Sequence, residues 1–184
     1  MTRILLVRHG EAAAEWGQHE DPGLSERGRQ QASDTAQALL LRLGADDWQI
    51  LSSPKARALE TAAPLAAASG LSVAIEPAYR EVPVPVAMEQ RKPWLRQFMQ
   101  QQWPGQPAAL WQWRQGLVDA LEGLARPTLV FTHFLVINAA VAEAEGRDEV
   151  LCFWPDNASV TEFCLQAGRL QLVSLGRSLQ TVVN

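Results

Sequence analysis

The chain has 184 residues, 47% of them apolar and 20% charged, with a formal net charge of −4. That length and composition suit one globular domain able to shield roughly 70% of the surface its unfolded form exposes, and they exclude a disordered, collagen-like or coiled-coil protein. The acidic balance argues against a nucleic-acid partner, and no apolar run approaches the ~20 residues that span a bilayer, so no membrane partner and a cytoplasmic location are expected.

Ile4-Leu5-Leu6-Val7 is a continuous apolar run, the pattern of a strand buried on both faces, and it ends at Arg8-His9-Gly10-Glu11. From Ser25 to Leu43 the apolar residues Ala32, Ala36, Leu39, Leu40 and Leu43 recur at helical spacing, with Ser25 as N-cap and Gly44 as the stop. A strand at Ile50-Leu51 runs into Ser52-Ser53-Pro54, where Ser53 is expected to cap a helix with Pro54 in its first position, Arg57 in its first turns and Gly70 as its end. Val73 to Ile75 reads as a third strand ending near Tyr79-Arg80-Glu81.

The stretch 82–107 holds Pro83, Pro85, Pro93, Pro104 and Pro107 among aromatic residues, so it cannot be one regular element and is expected to be an insertion or lid. Its aromatic residues, with Trp111 and Trp113, are read as packing rather than as a binding wall. A helix from about Ala108 to Leu124 precedes the strand Thr128 to Thr132, which ends at His133, and a further helix runs to about Glu145. Ser159 to Leu165 and Leu170 to Leu175 read as a terminal hairpin. This alternation predicts a three-layer α/β sandwich, a mostly parallel central sheet flanked by helices, in a single domain over 1–184 with the 82–107 insertion and a C-terminal hairpin.

In such sheets ligands bind in the crevice beyond the carboxyl ends of the strands. The polar residues expected there are Arg8, His9 and Glu11, then Ser52, Ser53 and Arg57, then Arg80 and Glu81, and last His133. Arginine forks match phosphate oxygens, a neutral imidazole is a competent nucleophile, and a carboxylic acid can protonate a leaving alkoxide. The basic residues are fourteen Arg and two Lys, Lys55 and Lys92, which gives that reading material to work with. His19, in a loop with Glu20 and Asp21, is taken as a surface residue. Cys152 and Cys164 lack metal-type spacing and are expected to be buried free thiols; no metal and no cofactor is expected.

Arg8-His9-Gly10-Glu11, the Leu24 to Ala32 segment LSERGRQQA, Ser52-Ser53-Pro54-Lys55-Ala56-Arg57-Ala58 with Thr61-Ala62, and Val130-Phe131-Thr132-His133 together resemble the histidine phosphatase superfamily, also called phosphoglycerate mutase-like. The motifs match in order and spacing over essentially the whole chain. The resemblance implies that His9 is the nucleophile that forms a phosphohistidine. It also implies that Arg8, Arg57 and His133 hold the phosphate, and that Glu81 is the general acid and then the base that activates water. Arg80 is a further candidate for contact with substrate.

The implied function is metal-independent hydrolysis of a small phosphorylated metabolite, with a small phosphate ester as partner. The alternatives are a phosphoglycerate mutase-type phosphotransferase, a phosphohistidine protein phosphatase, or a catalytically weak protein that binds a phosphate ligand. Three departures from the family pattern bear on specificity: Glu15 in place of the usual Asn, Phe134 in place of the Gly that follows the second histidine, and Val82-Pro83-Val84-Pro85 in place of a Gly-rich stretch. For His9 to attack, its other ring nitrogen is expected to donate to a backbone carbonyl, and Gly10 is expected to permit a close approach.

Overall fold

The computed structural model describes residues 1–15 and 18–179. They form one α/β domain around a six-stranded sheet: β1 (Thr2–Arg8), β2 (Gln49–Ser52), β3 (Val73–Ile75), β4 (Thr128–Thr132), β5 (Val160–Gln166) and β6 (Arg169–Ser174), in the spatial order β3-β2-β4-β1-β5-β6. The first four of that row run parallel, with Arg8 opposite Thr132 at the end of the β1–β4 pair, and the β5–β6 hairpin adds antiparallel beside β1.

Strands β1 and β4 are apolar at every central position because both faces are covered. Side chains alternate across a strand, so Ile4, Leu6 and Val130 join one core while Leu5, Val7, Leu129 and Phe131 join the other. The first core is closed by α4 (Ala108–Glu122) and α5 (Phe134–Glu145), the second by α1 (Glu26–Leu43) and α2 (Ala56–Ser69), with α3 (Arg91–Phe98) joining the first. This is the expected three-layer arrangement.

Helix α1 follows its sequence signals except at Leu40: the Ser25 side chain accepts from Gly28 N–H at 3.0 Å, Ala32, Ala36, Leu39 and Leu43 are buried at helical spacing, Leu40 beside them is exposed, and Gly44 ends the helix. Helix α2 does not start as expected. It begins at Ala56 with Lys55 as N-cap, and the Ala56 N–H donates to Asp21 Oδ1 at 3.0 Å, so a loop aspartate satisfies the helix end and Ser53 is left for another partner. Gly70 ends α2 in the left-handed region, at φ 72°.

The third strand spans Val73–Ile75 as read, but does not run on toward Tyr79. It ends at Ile75, because Pro77 opens a single 3-10 turn over Pro77–Tyr79, whose first turn the Glu76 side chain caps by accepting from Ala78 N–H at 3.0 Å. Helix α4 stops at Glu122, two residues short of the expected end, and the hairpin strands are each offset by about one residue from their expected bounds.

The 82–107 stretch is irregular apart from a 3-10 turn at Met88–Gln90 and α3. Its aromatic residues pack onto the first core and one another: Phe98 and Trp103 are buried in it, Trp94 stacks on Phe98 with centroids 4.9 Å apart, and Trp103 meets Trp111 and Trp113. A groove of about 440 Å³ beside Pro83, Pro85, Trp94 and Leu110 contains none of the strand-end polar residues. Cys164 is buried and Cys152 half-buried, both free. Among the described residues, no helix is long and apolar enough to cross a membrane.

Candidate active site

The parallel strands β1, β2 and β4 end side by side, and their pairing continues into the loops. His9 N–H donates to Thr132 O at 3.0 Å, and Ser53 N–H donates to Phe131 O at 2.9 Å. Residues far apart in sequence are thereby fixed in one crevice. His9 and His133 lie edge to face with ring centroids 5.4 Å apart and planes at 60°.

His9 is held at both ring nitrogens. Nδ1 is 2.7 Å from Gly10 O, an atom that only accepts, so Nδ1 carries the proton; Nε2 then accepts from Arg57 Nε at 3.2 Å. This is the backbone carbonyl contact expected of that nitrogen. Burial, followed by the charges of Arg8 and Arg57, holds the His9 pKa well below the usual histidine range, so the ring is neutral.

Gly10 makes the close approach expected of it: a Cβ there would lie 2.5 Å from Gly28 O, and one on Gly28 would run into the Glu11 carbonyl oxygen. The first two sequence motifs therefore pack backbone against backbone. Thr61 ties the loop to α2, since its Oγ1 accepts from Gly10 N–H at 3.0 Å and donates to Arg57 O at 2.6 Å.

The guanidinium of Arg8 donates to Pro155 O at 2.8 Å and lies over the Phe134 ring, 5.1 Å from its centroid. Burial lowers its pKa to about 10, which leaves it cationic at neutral pH. Arg57 is likewise buried and depressed by desolvation, with Glu81 acting to restore it. Phe134 does not stand open in the crevice: it is buried between Arg8 and Trp154, whose ring it meets at 5.3 Å.

Glu81 reaches the same place from the loop after the Pro77–Tyr79 turn. Its Oε1 accepts from its neighbour Val82 N–H at 3.0 Å and its Oε2 from Leu135 N–H at 3.2 Å, in the first turn of α5. The helix end steadies the carboxyl group, yet burial outweighs those bonds and the nearby Arg57 and Arg8, and pushes the pKa above the usual carboxylate range.

Five of the six expected residues, Arg8, His9, Arg57, Glu81 and His133, thus come together. Arg80 does not join them: it is exposed, its carbonyl accepts from Trp113 Nε1 at 3.0 Å, and its guanidinium makes no ion pair among the described residues. Glu15 turns away to bind Lys92 at 2.8 Å, and His19 is exposed. Thr61 and the Pro155 carbonyl are parts of the crevice that sequence reading did not assign; Thr61 stands inside a matched motif, while nothing in the sequence marks Pro155. Ser53 was expected in the crevice, but as a helix cap rather than beside His133. Among the described residues, no group of three or more His, Cys, Asp or Glu side chains is placed to hold a metal ion.

Residues 4–178 match the histidine phosphatase superfamily (branch 1). The chain belongs to that superfamily. Membership makes it an enzyme of the phosphatase type. No curated protein sequence matches the chain significantly. Among solved structures, the product of open reading frame Rv3214 from Mycobacterium tuberculosis is 27% identical with a TM-score of 0.73, over 96% of this chain and 98% of that one.

The phosphoserine phosphatase of Entamoeba histolytica, solved with 3-phosphoglyceric acid, is 22% identical with a TM-score of 0.75, covering 97% and 98% of the two chains. A mycobacterial glucosyl-3-phosphoglycerate phosphatase, solved with VO3, is also 22% identical with a TM-score of 0.75, covering 97% and 100%. At that identity the last two speak for the fold of this histidine phosphatase.

Proposed function

We propose that the protein hydrolyses a small phosphate monoester through a covalent phosphohistidine on His9. The observation that carries this reading is the double fixation of His9: a neutral ring with its proton committed to Gly10 O and its Nε2 lone pair beside the Arg57 guanidinium. Arg8 and Arg57 supply the positive charge a phosphoryl group needs, in a buried setting where fixed donors act strongly. No step in this scheme calls for a metal ion.

In the first step the phosphate oxygens draw the Arg57 fork away from Nε2, whose lone pair forms the N–P bond as the ester P–O bond breaks. The protonated Glu81 carboxyl gives its proton to the leaving oxygen. In the second step the Glu81 carboxylate takes a proton from water, the hydroxyl oxygen bonds to phosphorus, the N–P bond breaks, and inorganic phosphate leaves a neutral His9. Elevation of the Glu81 pKa by burial suits a group that must be an acid first and a base second. The names of the two phosphatase neighbours, which concern phosphoserine and glucosyl-3-phosphoglycerate, favour a small metabolite as substrate.

The deciding experiment is rapid-quench mass spectrometry of the intact chain with p-nitrophenyl phosphate. It is expected to show an acid-labile phosphoryl adduct on His9 that is absent in His9→Ala and unaffected by EDTA. Turnover without an adduct, or an adduct that persists in His9→Ala, overturns the mechanism.

A further inference from the structure

Ser53 lies at the end of β2, is fully buried, and has its hydroxyl oxygen between two nitrogens. The Lys55 backbone N–H donates to that oxygen at 3.3 Å, and His133 Nε2 lies 2.7 Å from it. A hydroxyl has one proton to give, and among the described residues only His133 Nε2 is in reach to accept it. Were Nε2 protonated instead, the serine proton would be buried with nowhere to go, a costly arrangement. The neutral His133 ring therefore accepts at Nε2 and carries its own proton on Nδ1. That nitrogen is buried and has no hydrogen-bond partner among the described residues.

We propose that Ser53 is a positioning residue that fixes His133 as the Nδ1–H tautomer, so that the ring offers its unpartnered Nδ1–H to a phosphoryl oxygen held against His9. The proposal rests on the reading of His133 as a phosphate donor given above. Three further observations agree with it. Ser53 does not cap α2, whose first N–H goes to Asp21, so its hydroxyl is not committed to the helix. The His133 ring is edge to face with His9 at 5.4 Å, close enough for both to meet one phosphoryl group. Burial, with Arg57 next, holds the His133 pKa well below the usual histidine range, so a neutral tautomer is the form in question.

The test is a long-range 1H–15N correlation spectrum of the full chain labelled with 15N-histidine, without substrate, with the signals of the three histidines separated by His19→Gln and His133→Asn variants. The wild type is expected to carry the His133 proton on Nδ1, Ser53→Ala to move it wholly or partly to Nε2, and Ser53→Thr, which keeps the hydroxyl, to restore Nδ1. With p-nitrophenyl phosphate, Ser53→Ala is expected to lower kcat/KM about 10–100-fold, the range that loss of an orienting partner produces at metal-bound histidines, and Ser53→Thr to recover it. A wild-type proton on Nε2, or a tautomer unchanged in Ser53→Ala, overturns the proposal. The wild-type spectrum decides alone if the alanine variant does not fold. Because the tautomer is read without turnover, a chain that lacks phosphatase activity but loses the Nδ1 proton in Ser53→Ala still supports the role of Ser53.

Discussion

Arg57 donates its Nε proton to His9 Nε2 at 3.2 Å. In the proposed mechanism the resting protein therefore shields its nucleophile with the same group that later receives the phosphate. Arg57→Ala is expected to lower kcat/KM about 10²–10³-fold, the loss typical of removing one preorganised donor. Arg57→Lys is expected to recover little of it, since an ammonium lacks the planar fork. The His9 pKa, followed by NMR, is expected to rise in Arg57→Ala because a neighbouring cation is gone, while burial still keeps it below that of a free histidine.

Glu81→Gln removes the acid and leaves a group of similar shape. Alkyl phosphates, whose leaving oxygen needs a proton, are expected to slow by about 10²–10⁴-fold, and p-nitrophenyl phosphate much less in its first step. The alkaline fall in wild-type rate, which tracks ionisation of a carboxyl with a raised pKa, is expected to vanish in the glutamine variant. Equal slowing of both ester types would remove Glu81 from the acid role.

Gly10→Ala forces a methyl group to within 2.5 Å of Gly28 O, a backbone atom with no flexible end to swing aside. The expected cost is about 1–3 kcal/mol of stability, read as a lower urea midpoint. Turnover should fall more than stability alone explains, because Gly10 O also holds His9 Nδ1.

Burial of neutral His9 and His133 makes stability depend on pH. Both folded-state pKa values lie well below 6.5, so below that pH the unfolded chain takes up protons that the folded chain refuses. Their contribution is fully present above about pH 6.5 and is lost as the pH falls toward the folded values. Glu81 acts with the opposite sign, its contribution being lost as the pH rises through its raised folded value. Urea midpoints between about pH 5 and 7.5 should therefore rise less steeply in His133→Asn than in the wild type, and more steeply in Glu81→Gln.

Phe134 fills the space between Arg8 and Trp154. Phe134→Ala is expected to cost about 3–5 kcal/mol, as other large-to-small core changes do. It should weaken inorganic phosphate binding, measured by calorimetry, because Arg8 loses the surface it rests on. Tighter phosphate binding in that variant would mean that the ring obstructs the pocket.

The strands that carry the site were legible because β1 and β4 are apolar on both faces, short, and rich in Val, Ile, Leu and Phe. The long helix α1 was legible because its cap, its stripe and its terminal glycine agree. What escaped was decided at a distance. A serine followed by proline at a strand end looks locally like a helix cap. The side chain that claims Ser53 is 80 residues away, and the one that replaces it at the helix is Asp21. The turn after β3 was hidden because Pro77 reads equally well as a strand terminus or a turn. Glu81 could be placed near a strand end, but its grip on α5 through Leu135 N–H has no trace in the local sequence.

The sheet order has a consequence for how activity first arises. Strand β1 carries Arg8 and leads into His9, yet its two neighbours are β4, 124 residues further along at Arg8 opposite Thr132, and β5, further still. Pairings of such sequence separation are slow to close, because the loop entropy is lost before the contacts form. During synthesis His9 emerges more than a hundred residues ahead of the strands that align it, so an unfinished chain has a histidine without a pocket. Phosphatase activity in this protein is for that reason a reporter of global folding: fragments lacking the C-terminal strands should be inert, and recovery of activity on refolding should coincide with closure of the central sheet.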